Sequence, residues 1–258
     1  MPTPMLARLR ASDPDRFLTA LFAPPARRET LALLYAFDHE LARARAVVSV
    51  PPLALIRLQW WREVIEGAPR RHEVATPLTL ALAEGRLLAD DLLALVAARE
   101  IEAEAEFADT GAWFAWLEAA YGGVAVAAAR LLGAPAPEAA RPFGTLMGAA
   151  RVLGGVIRHA REGRCLLPAD ALAAQGLVPE AVIATPAMAA LAPLYAALAG
   201  QALARGGMRP LPRAACAAGL GAVLARRDLT RLVRGRALPE ARGLGDRLAV
   251  MRAGLLGG

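Results

Sequence analysis

The stretch over residues 27–48 constrains this chain more than any other. Leu31, Leu34, Tyr35, Leu41 and Val48 recur there at helical spacing, with Glu29, Asp38 and Glu40 among the polar positions. That pattern predicts one long helix with a stripe facing a core. Pro24-Pro25 stands before it and Pro51-Pro52 after it. Proline has no amide donor and fits a helix start far better than a helix interior.

The same punctuation divides the rest of the chain. Asp13-Pro14 opens a short helix that Pro24-Pro25 breaks. Ser49 can cap a helix over 53–66, which Gly67 closes. Thr76-Pro77 begins another, and Asp90-Asp91 lead into a longer one expected to end near Thr110-Gly111. Trp113, Trp116, Leu117 and Tyr121 recur at helical spacing and read as core, followed by a run of small residues over 120–129 that suits close helix contacts. Leu132-Gly133 ends that segment. Next come a helix over 139–159, a loop from Gly163 to Pro168, and a helical span around 187–203. The last main helix is expected over 212–233, with Arg226, Arg227, Arg231 and Arg234 near its end, where basic side chains suit the helix dipole. The tail after Arg236 is short and either packs or frays.

Neither β alternation, an internal repeat nor a domain boundary interrupts this pattern. Hydrophobic residues make up 56% of the 258 positions, much of it alanine and leucine, while aromatics are only 5%. The expectation is a single all-α domain over 1–258, with a broad groove between helices.

Charge and cysteine usage narrow the function. The formal charge of +6 permits nucleic acid, an anionic membrane surface or an acidic partner, and selects none of them. Without a recognisable domain or aromatic platform, the arginines over 226–236 read as a basic helix end, and no nucleic acid is expected. Cys165 and Cys216 are far apart and suggest neither a disulfide scaffold nor a metal cluster. The N-terminus lacks the apolar run of a signal peptide. The apolar window over 188–203 contains Pro193 and is bounded by Arg205, so a buried helix fits better than a membrane span. The expected location is cytoplasmic, at most peripheral to a membrane face.

Ordinary catalytic systems find little support. His39, His72 and His159 are the only histidines, and neither cysteine has a local histidine partner. No glycine-rich loop resembles a nucleotide cradle. Glu100, Glu102, Glu104 and Glu106 alternate, but a spacing of two does not share a helical face, so they read as a solvated surface. Ser12 and Ser49 read as helix-start or turn residues.

Three segments carry a family likeness. They are Leu33-Leu34-Tyr35-Ala36-Phe37-Asp38-His39-Glu40-Leu41-Ala42-Arg43-Ala44-Arg45-Ala46, then Leu55-Ile56-Arg57-Leu58-Gln59-Trp60-Trp61-Arg62-Glu63, then Met147-Gly148-Ala149-Ala150-Arg151-Val152-Leu153-Gly154-Gly155-Val156-Ile157-Arg158-His159 with Gly163-Arg164-Cys165-Leu166-Leu167-Pro168. In order and separation they resemble the first substrate-binding helix, the helix after it, and the second acidic helix of the squalene/phytoene synthases. The likeness runs from about Asp13 to Arg234. It implies an isoprenoid-synthase-like helical bundle, in which aspartates on facing helices hold magnesium and magnesium holds a prenyl diphosphate.

The departures fall on those aspartates. The matching positions in the first motif are Ala42, Arg43 and Ala46, and none offers a carboxylate. In the second motif His159 replaces an aspartate, and the acidic turn shrinks to Arg161 and Glu162 before Gly163. Magnesium is a hard cation that takes oxygen ligands, so a lone imidazole is a poor substitute. The resemblance therefore implies no catalytic residue, no metal ligand and no cofactor. What it implies is a vestigial groove of Asp38, His39, Glu40, Ala42, Arg43, Ala46, Arg158, His159 and Arg164, with Asp38, His39 and Glu40 expected at its rim. Arg43, Arg158 and Arg164 either bind phosphate directly or pair with Asp38, Glu40 or Glu162 and hold the groove shut.

This pattern of loss resembles the complex I assembly factor branch of the superfamily and its bacterial relatives. That likeness implies a non-catalytic protein at the inner face of an energy-transducing membrane with respiratory assembly partners, and an isoprenoid or anionic lipid as a further ligand; with no evident organelle-targeting extension, a bacterial source is expected. Two alternatives remain open: a divergent magnesium-dependent prenyl diphosphate transferase, and a polyisoprenoid or quinone binder without turnover.

Overall fold

Proline sets the helix starts. In the computed structural model, which describes residues 3–48, 50–104, 106–187, 189–205, 209–239 and 241–256, Pro4, Pro14, Pro25, Pro51 and Pro179 each begin a helix. In chain order the helices are α1 (Pro4–Ser12), α2 (Pro14–Ala20), α3 (Pro25–Ala46), α4 (Pro51–Ile65), α5 (Ala75–Ala83), α6 (Ala89–Glu104), α7 (Thr110–Leu117), α8 (Gly123–Leu131), α9 (Arg141–Gly154) and α10 (Val156–Arg161). They continue as α11 (Ala169–Ala173), α12 (Pro179–Ala184), α13 (Leu191–Ala204), α14 (Gly221–Val233) and α15 (Leu244–Leu256). A π-helical turn, Glu118–Gly122, joins α7 to α8 without a break, and 3-10 turns cover Pro137–Ala140 and Arg213–Ala218. Among the described residues there is no strand.

Two large apolar clusters fill most of the interior, and a small third one, of Cys216, Leu220, Leu224 and Val250, lies beside them. The first gathers on α3 through Leu31, Leu34, Phe37 and Leu41, and is covered by α4, α5, α6 and α8. The second gathers on α9 and α14 through Leu146, Val152 and Leu229, and is covered by α7 and α13. Trp113 and Trp116 belong to this second cluster and are buried. The segment Thr110–Leu131 is long and apolar enough to cross a membrane, but 72% of its apolar window is buried against the protein, so it is a core helix here.

Several boundaries differ from the sequence-based expectation. The N-terminal helix α1 precedes the expected first helix. The helix α6 stops at Glu104 rather than near Thr110, and Asp109 instead caps α7, its Oδ1 accepting from the Ala112 amide at 2.7 Å. The expected helix over 139–159 breaks at Gly154-Gly155 into α9 and α10. A Cβ on Gly155 would stand 2.8 Å from the His159 ring, so the break needs glycine there. The last expected helix divides into a 3-10 turn and α14, and the tail forms α15. Gly133 ends α8 as anticipated, at φ 84°, a conformation that glycine adopts freely. Ser49, proposed as a cap for α4, lies outside the described residues.

The loop after α10 is fixed from the side. Trp113 donates its indole N–H to the Leu166 carbonyl at 2.8 Å, and the Ala169 amide donates to the Phe107 carbonyl at 2.8 Å. These bonds hold Arg164 against α6.

Candidate functional site: a buried chain of ion pairs

Asp38 sits in the middle of α3, one side of its helix buried against α6 and α2. It is 3% exposed. Its Oδ2 accepts from Arg16 Nη1 at 2.7 Å, and its Oδ1 accepts from Arg99 Nη2 at 2.8 Å. Arg99 also donates to Glu102, one turn along α6, and Glu102 accepts from Arg164 Nη1 at 3.0 Å on its other oxygen. Arg164 in turn pairs with Glu162. At the far end Asp13 caps α2, accepting from the Arg16 amide at 3.0 Å, and accepts from Arg151 of α9 at 2.7 Å. Acids and arginines thus alternate from Asp13 to Glu162. The members come from both halves of the bundle, so the chain of ion pairs stitches the two clusters together.

The electrostatics follow from burial. Desolvation alone would raise the Asp38 pKa, but Arg99 and Arg16 outweigh it and hold the carboxyl well below the usual carboxylate range. The same contest leaves Asp13 lowered, with Arg151 and Arg16 opposing its burial. Arg99 is raised well above its ordinary value, because Asp38 and Glu102 overcome its own desolvation. Its guanidinium also lies 4.8 Å from the ring of Tyr121, which the π-helical turn presents. Arg16 lies 4.8 Å from the ring of Tyr35, and burial pushes the Tyr35 phenol up to about 12.

His159 is buried beside this network. Burial first, and then Arg158, Arg164 and Arg151, push its pKa down to about 3. The imidazole is therefore neutral at physiological pH. Arg158 Nη2 lies 3.1 Å from His159 Nε2, and as a guanidinium it donates, which puts the ring proton on Nδ1. That Nδ1 is buried without a partner.

The remaining groove residues spread outward from this centre. Glu40 is also buried, not at a rim, and pairs with Arg8, with Arg43 3.9 Å away. Asp38 and Glu40 therefore face different partners on different sides of α3. His39 is half-buried, its pKa lowered by burial despite the opposing pull of Glu40. Ala42 and Ala46 are half-buried and Arg43 is exposed. Arg158 is exposed apart from its contact with His159, whereas Arg164 is buried in the network. Asp38 does not meet Glu162 directly; Arg99, Glu102 and Arg164 stand between them.

Sequence reasoning read Asp13 only as the opening of a helix, gave Arg16, Arg99 and Arg151 no role, and placed Glu102 on a solvated surface. Glu102 is 7% exposed. The spacing argument held only for a shared metal site; separate ion pairs do not require one face. The available signal was an arginine and a glutamate three apart inside an apolar helix, Arg99 and Glu102 between Val96 and Ala103.

The donor set does not fit magnesium. Both oxygens of Asp38 and both of Glu102 already accept from arginines. Among the described residues, no three His, Cys, Asp or Glu side chains gather closely enough to hold a metal ion. The arrangement offers cations where a magnesium cage offers oxygens.

Comparison with known proteins places this geometry. The chain superposes on a dehydrosqualene synthase crystallised with a ligand with a TM-score of 0.75 at 14% identity, covering 98% of this chain and 94% of that one. It superposes on the squalene synthase HpnC from Alicyclobacillus acidocaldarius with a TM-score of 0.63 at 16% identity, covering 100% and 97%. At such identities the likeness speaks for the isoprenoid-synthase-like helical fold alone. Complex I assembly factor 6 of Homo sapiens and of Rattus norvegicus are each 31% identical over 99 residues, 37% of this chain. That match spans 30% of the length of these curated relatives. The sequence profile of squalene/phytoene synthases matches residues 9–247. With nearly the whole length matched, the chain belongs to the squalene/phytoene synthase family.

Proposed function

We propose that this protein is a non-catalytic member of its family that serves as an assembly or interaction factor for respiratory complex I at the membrane surface. The observation that carries the first half is the double clamp on Asp38. The carboxylate that lies one helical turn before Ala42 is spent on Arg16 and Arg99, and no side chain at positions 42, 43, 46 or 159 supplies an oxygen ligand. A prenyl diphosphate entering such a groove would meet neutral ion pairs in place of magnesium.

The partial similarity to complex I assembly factor 6 supports the second half. So does an apolar surface beside the groove. Val50, Leu53 and Ile56 at the start of α4 are exposed, and Ile101 of α6 is exposed as well. A shallow cavity of about 710 Å³ opens there, lined by Leu55, Ile56, Gln59, Trp60, Glu63 and Glu100. An exposed patch of this kind suits a protein partner.

Tagged protein purified from its source cells in mild detergent should carry complex I subunits or assembly intermediates, identified by mass spectrometry. Purified protein incubated with short and long prenyl diphosphates and Mg²⁺ should form no product. Absence of respiratory subunits ends the assembly role, and magnesium-dependent product formation ends the non-catalytic one.

A further inference from the structure

The helix α15 is apolar on two opposite sides. Its inner side packs Val250 against Leu220 and Leu224 of the neighbouring segment, and Gly254 lets Phe22 approach so closely that a Cβ would stand 2.4 Å from the ring. Asp246, also on the inner side, is held by Arg227 at 2.6 Å and by Arg231 at 3.1 Å. The helix is therefore anchored in a fixed orientation.

Its outer side carries a second stripe. Leu244, Leu248, Met251 and Leu255 are spaced by four, three and four positions and are between 45% and 77% exposed. At 3.6 residues per turn they fall within about 60° of one another. Arg247 and Arg252 are exposed and flank the stripe at about 70° to either side. Asp246 is the one acid in α15, and it is buried and paired.

The charge around this helix is concentrated. Residues 209–258 contain ten arginines and three acids, whereas residues 1–208 contain twenty arginines and twenty-one acids. The whole positive excess of the protein lies in this C-terminal part. Arg226, Arg234 and Arg236 are exposed there too. On the side of α15 away from the stripe, where Ala249 and Ala253 lie, a cavity of about 320 Å³ against α14 is lined by Phe143, Leu220 and Val223, with Arg226 and Arg227 among its walls.

These features discriminate between occupants. A second copy of the helix would bring arginine flanks against arginine flanks, where pairing helices place opposite charges. A bilayer with anionic headgroups complements both elements at once. The apolar stripe enters the acyl boundary, and the arginines lay their aliphatic stems along it and keep their charged ends among phosphates. We infer that the outer face of α15, with its flanking arginines, is a docking surface for an anionic lipid bilayer. This gives the membrane-side location in the proposed function a specific surface. It can be tested with lipid alone, so failure here leaves the assembly role to its own experiment, and the reverse.

The test is co-sedimentation of the purified full chain with vesicles of phosphatidylcholine and with vesicles containing about one-third phosphatidylglycerol, at low and high salt. Binding is expected to the anionic vesicles, weakened by salt. Leu248→Gln combined with Met251→Gln should reduce partitioning at least tenfold, as should Arg247→Gln combined with Arg252→Gln. All four side chains are exposed, so both variants should keep the wild-type thermal melting curve, which is measured alongside. Equal binding to neutral and anionic vesicles, unchanged binding by well-folded variants, or no binding at all overturns the inference. So does a lipid-independent dimer, seen by analytical ultracentrifugation, that the Leu248/Met251 variant dissolves, because the stripe would then be a protein interface.

Discussion

Asp38 and Arg99, sixty-one positions apart, meet at 2.8 Å across α3 and α6, each almost wholly removed from solvent. The contact joins the first motif helix to a helix that carries no motif of its own. It also converts a buried carboxylate from a free donor of oxygen into half of an ion pair. In a low-dielectric interior such a pair is costly to form and costlier to break, because removal of one partner strands the other.

Arg99→Leu should therefore destabilise the protein by about 3–5 kcal/mol, read from urea unfolding, because Asp38 and Glu102 each lose an arginine. Combining it with Asp38→Asn should cost less than the sum of the two single changes. Strict additivity would mean that the two side chains are not coupled.

His159 gives stability a pH dependence of known sign. Its pKa is pushed down to about 3 in the fold from an ordinary 6.5, so between those values the unfolded chain binds the proton and the folded chain does not. Stability contributed in this way is complete above 6.5 and falls as the solution is acidified toward 3, by ~1.4 kcal/mol per pH unit. His159→Gln should flatten the unfolding free energy between pH 6.5 and 4. An unchanged slope would contradict the burial described for the imidazole.

Asp38 and Asp13 act lower on the scale. Both have depressed values in the fold, so their contribution is present above the ordinary 3.8 and is lost as pH falls below it. Asp38→Asn should remove part of the acid unfolding that begins there, measured by circular dichroism from pH 5 to pH 2.

Restoring carboxylates at the vacant motif positions should not restore a metal site. A variant with Ala42→Asp, Ala46→Asp and His159→Asp still has Arg16 and Arg99 bound to Asp38. Isothermal titration should detect no tight Mg²⁺ binding, and incubation with a prenyl diphosphate should give no product. Either signal would show that the ionic chain yields readily to magnesium.

Close contact between α9 and the π-helical turn depends on two glycines. A Cβ on Gly144 would lie 2.2 Å from the Tyr121 carbonyl oxygen, and one on Gly148 would lie 2.6 Å from the Tyr121 ring. Gly144→Ala should lower stability by about 1–3 kcal/mol through overpacking, whereas the same change at Gly200, with open space around it, should not. Thermal denaturation of the two variants makes the comparison.

Helix content and helix starts were legible because their causes are local. Pro14, Pro25 and Pro51 mark starts that proline chemistry demands, and Gly133 marks a stop. The break at Gly154-Gly155 was not legible, since tolerance of a helical glycine and termination at one differ only through what packs nearby, here the His159 ring. The helix α15 escaped notice because apolar residues on both of its sides blur the usual one-sided period. At the site, the motif positions at 42, 43, 46 and 159 were readable by their departure from the family pattern. Arg16 and Arg99 were not, because a single arginine in a helix carries no mark of the carboxylate it will meet from another helix.

The π-helical turn at Glu118–Gly122 has a bearing on how this interior is kept in register. Such a turn holds one residue more than an α-helix would place in the same length, and Tyr121 sits within it against the Arg99 guanidinium. Deleting a single residue there would let the helix rewind to its commoner pitch with the side chains of α8 still close to their present faces. One codon's loss, far from any of the motif segments, would thus keep the helix–helix seam aligned and remove the local widening that presents an aromatic ring to a buried charge.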